Sequence, residues 1–285
     1  EKFHLNWDLS WPWLNLGNVF SERINWIQWY EYTGVFGGSL WVLCSNFLLF
    51  HHIRNYSIFK DPRRFYIRII PRVILIFSPI LISFIVKPNI NLGEEFKVLI
   101  TQPKIDPWDA TYNNSTDNLD YFKIFKDLTN KDLESTKYDF VIAPETYFSE
   151  GYGENVDYFQ FTKLYDSIFN YLKKYENTNL ISGIQFYKLY QNSIDRPSKS
   201  ANFVQDELWI DYYNSSINFS VLKGFEYNHK SKLVVGSEFM PFKSFLEPII
   251  GTIMIDMGGT TVSKGTQHDS ERKIFEHSNK DLKTI

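Results

Sequence analysis

Apolar residues are spread unevenly along this chain. Two runs near the start are almost free of charge, and from about residue 90 onward short apolar stretches alternate with polar ones. The first run, Thr33 to Ile53, contains no Asp, Glu, Lys or Arg. It meets the roughly 20 residues that a helix needs to cross about 30 Å of hydrocarbon. The second, Val73 to Val86, reaches that length only if Ile67 to Ile70 join it and Arg72 extends its guanidinium toward the interface. Read as transmembrane helices, the two occupy 33–53 and 67–87. A buried core helix is the competing reading of each.

Beyond Phe96, the stretches FKVLITQP, DFVIAPE and NLISGIQF each predict a short buried strand bounded by Pro, Gly or polar clusters. Between the second and third, Phe161, Leu164, Tyr165, Ile168, Phe169 and Leu172 recur at helical spacing and predict a helix with one apolar face. Leu119, Phe122, Phe125 and Leu128 mark a weaker helix between the first two. Strand, helix, strand, helix, strand implies an α/β layered domain over 96–285. In such folds catalytic groups tend to sit at the carboxyl ends of strands. Glu145, directly after VIAP, occupies that position. The stretch from Gly251 to Ile285 has weak periodicity and reads as a loop, with one short strand near Lys273 to Glu276.

Charge orients the two apolar runs. Arg54, Lys60, Arg63, Arg64, Arg68 and Arg72 are opposed only by Asp61, so the connector 54–66 is placed in the cytoplasm. Residues 1–32 then lie outside, where Trp7, Trp11, Trp13, Trp26 and Trp29 suit an interfacial aromatic belt. Everything after about Lys87 faces the exterior, or the periplasm of a two-membrane bacterium. The 285 residues, with a net charge of -3 and 18% aromatics, suffice for one folded domain plus additional elements. The chain starts at Glu1 without an initiator Met or signal peptide, which implies a fragment. Cys44 is the one cysteine, so no intrachain disulfide can form. Its apolar surroundings imply a buried structural thiol rather than a reactive one.

Candidate chemistry is sparse. Glu145, followed by Tyr147 and Phe148, is either a partly desolvated general base or an ordinary loop carboxylate. The segment YNHKSKLVVGSEFMPF, Tyr227 to Phe242, supplies Lys230, Lys232 and Glu238. A lysine there could stabilise a developing oxyanion, or belong to a solvated turn. His229, beside the lysines, reads as exposed. No Cys/His cluster suggests zinc, no Gly-rich loop suggests a phosphate cofactor, and no basic stripe on the later part suggests nucleic acid.

Taken in order, several segments carry a resemblance. PWLNLGN (12–18) and YTGVFGGSLWVLCSN (32–46) are followed by ITQPKIDPWDATYN (100–113), APETYF (143–148), YYNSS (212–216) and the lysine-bearing segment above. Together they resemble the bacterial apolipoprotein N-acyltransferases, membrane-embedded members of the nitrilase superfamily. The resemblance implies a partial nitrilase-like αββα sandwich after two transmembrane helices. It implies a catalytic Glu, Lys and Cys, of which Glu145 matches the general base and Lys230 the oxyanion-stabilising lysine, with Lys232 as competitor. Glu238 matches a further acid supporting the site, and Trp108 a loop Trp near substrate. The implied reaction moves an acyl chain from a phospholipid to a Cys thioester, then to the N-terminal amine of a diacylated lipoprotein, in the bacterial inner membrane and without a cofactor. The family's nucleophilic cysteine lies beyond a segment like RKIFEHSNKDLKTI, so the 285 residues alone are expected to be inactive. The alternatives are a membrane-tethered nitrilase-type amidase and a non-catalytic lipoprotein-binding scaffold.

Overall fold

The chain's first long helix begins where a Trp-rich, turn-rich stretch ends. In the computed structural model the described residues are 1–60, 62–87, 95–105, 117–151, 153–198, 200–250, 265, 273–279 and 283–284. They form two units, Glu1–Gly93 and Glu94–Ile285.

In the first unit, short 3₁₀ turns, among them Leu16–Phe20, lead into α1 (Tyr30–Phe59), which is kinked at Gly34, and α2 (Pro62–Val86) follows. Gly17 and Gly38 make the close approach of the turns to α1 possible. A Cβ on Gly17 would lie 2.1 Å from the Val35 carbonyl oxygen, and one on Gly38 would lie 3.0 Å from Gly17 Cα. Tyr30 Oη donates to the Gly17 carbonyl (3.0 Å), and Gly17 N–H donates to Ser39 Oγ (3.0 Å). Hydrogen bonds also tie α1 and the turns before it to α2: Trp41 Nε1 donates to the Ile76 carbonyl (2.8 Å), and Gln28 N–H donates to Ser83 Oγ (3.0 Å). Pro79 lacks the N–H that would pair with the Leu75 carbonyl. Ser78 Oγ makes that bond instead, at 3.0 Å, so the carbonyl freed by the proline keeps a donor within the helix.

Tyr30–Tyr56 and Phe65–Val86 are long and apolar enough to cross a bilayer. The anticipated loop at 54–66 is largely helical: α1 runs to Phe59, stops at Lys60 in the left-handed conformation (φ 46°), and Pro62 opens α2. Charged residues end the hydrocarbon-compatible stretch without ending the helix, because Arg and Lys are good helix formers. Cys44 is exposed on the side of α1 rather than buried.

The second unit is built on a mixed sheet. Its parallel part comprises β1 (Val98–Ile100), β2 (Phe140–Ile142), β3 (Glu154–Asn155) and β4 (Asn179–Tyr190); β2 lies between β1 and β4, and β3 pairs with the later part of β4. The antiparallel part continues through β5 (Asn202–Gln205), β6 (Leu208–Ser220) and β7 (Gly224–His229), with β6 paired to β4 from Leu180↔Phe219 to Tyr190↔Trp209. Helix α3 (Asn118–Ser135) is capped by Asp117, whose carboxylate accepts the Asp120 N–H at 2.8 Å; α4 (Lys163–Leu172) is capped by Thr162. A last helix, α5, spans Lys243–Ile250.

Strand alternation sends Leu180, Ile184, Phe186, Ile217 and Phe219 to one face, where they join Phe122 and Phe125 of α3 and Leu164, Ile168 and Leu172 of α4 in one core. Leu119 and Leu128 stay outside that core; Tyr121, Thr129 and Leu133 complete the buried face of α3. The other face of the same strands is buried but polar, carrying Asn179, Gln185, Asn214 and Asn218. The end of the chain returns to it. Asn218 Nδ2 donates to the Glu276 carbonyl (3.0 Å), and Ser278 Oγ donates to Asn179 Oδ1 (2.9 Å). The expected strand near Lys273–Glu276 is β8 (Phe275–Glu276), paired with β9 (Lys283–Thr284); most of the remaining stretch from Gly251 lies outside the described residues.

Candidate active site

At the carboxyl end of β2 the backbone turns sharply. Ala143 N–H still bonds to Ile181 (2.8 Å) and Gly183 N–H to the Pro144 carbonyl (3.0 Å), then Thr146 takes the left-handed conformation (φ 56°). This turn projects Glu145 away from the core while Tyr147 and Phe148 go into it. The two aromatics therefore do not shield the carboxylate: the Glu145 side chain is 65% exposed. Gly183 lets the turn pass over β4, because a Cβ there would sit 2.2 Å from Thr146 N and 2.6 Å from Glu145 Cα.

Glu145 faces three groups brought in by β6, β7 and the turn after them. Asn214, on the polar face of β6, donates from Nδ2 to Glu145 Oε1 (2.7 Å) and to Glu238 Oε1 (2.9 Å). Lys230 follows β7, its N–H bonded to the Asn214 carbonyl (2.8 Å). Its Nζ lies 2.9 Å from Glu145 Oε1 and 3.0 Å from Glu238 Oε2. Glu238, whose side chain is only 10% exposed, also accepts the Val234 N–H (2.8 Å), so its carboxylate is bound on both oxygens. Partial burial by itself disfavours the ammonium of Lys230, but the hydrogen bonds and charges of Glu145 and Glu238 outweigh it and hold the lysine above its ordinary range. The group is thus a firmly cationic amine between two carboxylates, one sequestered and one open to approach.

The competing Lys232 is exposed, and the contact with Glu145 belongs to Lys230. Trp108 lies outside the described residues. His229 is not exposed as anticipated. It stacks on Tyr213 (4.0 Å between centroids) and bonds through Nδ1 to Ser215 Oγ (2.7 Å). Burial, reinforced by the charge of Lys188, lowers it to about 4. Asn214 was not singled out by sequence reasoning, although it lies in the quoted YYNSS segment; its role follows only from the β6 register. Among the described residues no group of three His, Cys, Asp or Glu could hold a metal ion.

The sequence of the first unit has a counterpart among known families. Residues 1–48 match the apolipoprotein N-acyltransferase N-terminal domain. The match contains both Gly17 and Gly38, whose close approach packs the turns onto α1. The chain is also similar to an apolipoprotein N-acyltransferase of Chlorobaculum tepidum, 26% identical over 155 residues, which are 51% of this chain and 27% of that relative. It thus spans about a quarter of that acyltransferase's length. Crystal structures of an N-terminal amidase, with a Gln-Val or an Asn-Glu peptide, each cover 49% of this chain and 28% of theirs at 16% identity, with a TM-score of 0.28.

Proposed function

We propose that these residues are part of an apolipoprotein N-acyltransferase, carrying the base and the oxyanion-stabilising group of a membrane-anchored, nitrilase-like acyl-transfer site facing the periplasm. The observation that carries this reading is Lys230 held at 2.9 Å and 3.0 Å between Glu145 and Glu238. The similarity to the acyltransferases at residues 1–48 supports it.

Cys44 is the only thiol in the sequence and sits in α1, so the nucleophile of this mechanism comes from outside these 285 residues. Glu145 takes the proton of that thiol, and the thiolate attacks the ester carbonyl of a phospholipid. Negative charge then gathers on the carbonyl oxygen, where the Lys230 ammonium can donate to it. Collapse breaks the ester C–O bond, and Glu145 returns the proton to the leaving lysophospholipid oxygen. The thioester is next attacked by the N-terminal amine of a diacylated lipoprotein, with Glu145 accepting the amine's proton and passing it to the departing thiolate. Both contacts from Lys230 and Asn214 fall on Oε1 of Glu145, which leaves Oε2 to handle protons. Glu238 keeps Lys230 charged and in place.

The test is acyl transfer from a fluorescent phospholipid to a diacylglyceryl-cysteine peptide, measured in the longer protein that contains this chain. Lys230→Ala should lower kcat by about 10²–10³-fold, the cost of losing one oxyanion donor. Glu145→Gln should abolish thioester formation, while Lys232→Ala should leave the rate unchanged. A loss on Lys232→Ala with none on Lys230→Ala would overturn the assignment. Release of free fatty acid without acylated peptide would make the protein an amidase-type hydrolase instead.

A further inference from the structure

The joint between α1 and α2 gathers positive charge on an otherwise apolar helix pair. Phe65, Arg68 and Arg72 stand at i, i+3 and i+7 on α2 and so share a face. That face looks toward α1, since the Phe65 ring lies 4.3 Å from the His52 ring and 4.8 Å from the Tyr56 ring. His52 is only 3% exposed. Its Nε2 and the Nε of Arg72 are buried without a hydrogen-bond partner among the described residues, while Arg72 Nη1 donates to the Arg68 carbonyl. Buried donors are nearly always paired, and charge near hydrocarbon is unfavourable unless compensated. In sequence, Asp61 is the sole acid between Arg54 and Arg72.

The depth of these groups narrows what could pair with them. At 1.5 Å per residue, His52 lies about 10 Å from the end of α1 at Phe59, and Arg72 about 15 Å from the start of α2 at Pro62. If the two helices span a bilayer, that is the level where headgroup phosphates meet the acyl region. Arg54, Lys60 and Arg63, all exposed, add positive charge toward the aqueous end. Those three would repel the ammonium of a zwitterionic headgroup and favour one without a cation.

We propose that the α1–α2 joint binds the phosphate of an anionic phospholipid, whose oxygens accept from Arg72 Nε, from Arg68 and from the His52 imidazole. Basic pockets between spanning helices on the cytoplasmic side are a recurrent way of holding such lipids. This site belongs to the first unit and Glu145 and Lys230 to the second, and it does not depend on the acyl-transfer reading. A phosphate group can come from a lipid or from solution, and the experiment separates the two.

The purified 285-residue chain in dodecyl maltoside is titrated with dioleoyl-phosphatidylglycerol, dioleoyl-phosphatidylcholine or inorganic phosphate. Bound lipid is counted by native mass spectrometry, and Tm is followed in parallel. The expected result is phosphatidylglycerol retained with a raised Tm, phosphatidylcholine not retained, and inorganic phosphate without effect at the same concentration. Arg68→Gln and Arg72→Gln should each weaken phosphatidylglycerol binding by about fivefold, and added salt should weaken it further. Arg68 is exposed, so its replacement tests the site even if Arg72→Gln disturbs the helix pair. Equal retention of the two lipids, or unchanged binding in Arg68→Gln, overturns the proposal. A Tm rise with inorganic phosphate equal to that with lipid also overturns it, in favour of a free-anion site.

Discussion

A neutral amide lets two carboxylates share one lysine. Asn214 spends its amide nitrogen on Glu145 and Glu238 at once, reducing the repulsion that two acids so close would otherwise exert, without adding charge of its own. On the opposite face of the same strand, Tyr213 and Ser215 hold His229, the residue immediately before Lys230. His229 is neutral at pH 7, because its folded-state value of about 4 lies below the ordinary 6.5. Between those two values the unfolded chain binds the proton and the folded chain does not, so stability falls as pH drops through that window. Thermal melts of the chain from pH 7 to pH 4 should show this decline, and His229→Phe should flatten it; an identical pH profile in that variant would assign the decline to other groups. Residue-level legibility in the sequence was uneven. Glu145 stood out because a strand followed by Pro and a carboxylate is a local signal. Lys230 could not be separated from Lys232 by local rules, because the choice depends on the β6–β7 register.

At the level of elements, β1, β2, the start of β4 and the two helices packed on them follow the apolar spacing of the chain. Leu164, Ile168 and Leu172 are fully buried, as their spacing anticipated. Strand β6 was illegible for a physical reason. Its second face carries buried Asn214 and Asn218, so it shows neither the alternation of a half-exposed strand nor the apolar run of a fully buried one. In the basic connector, charge marks where the apolar stretch ends, not where a helix ends. Close packing of elements also makes a sharp prediction at Gly183. Its missing side chain lets the Glu145 turn cross β4, and the atoms a Cβ would meet are backbone, which cannot swing aside. Gly183→Ala should cost about 1–3 kcal/mol, read as a lower denaturation midpoint. On the proposed function it should also lower acyl transfer, by displacing Glu145 from Lys230. Full stability with full activity would show that the turn accommodates the methyl group.

On the scale of the molecule, one unit carries two helices fit for a bilayer and the other a mixed sheet whose two faces differ in kind. The apolar face packs α3 and α4; the polar face carries the site around Asn214, midway along β6, and receives residues 273–279 around Asn218 and Asn179. Sequence patterning conveys the first of these faces, since transfer of apolar area from water drives it. The second depends on hydrogen bonds between residues far apart in the chain, such as Ser278 and Asn179, which leave no periodic trace. The long β4–β6 pairing has a further consequence. Glu145 is fastened to β4, whereas Asn214 and Lys230 ride on β6 and its neighbour β7. Any fluctuation that unzips this seam also pulls the Glu145 carboxylate away from the Lys230 ammonium. Amide exchange along the ladder and the lifetime of the assembled triad are thus governed by the same opening equilibrium, and the rigidity of one strand pair sets how much of the time the site exists at all.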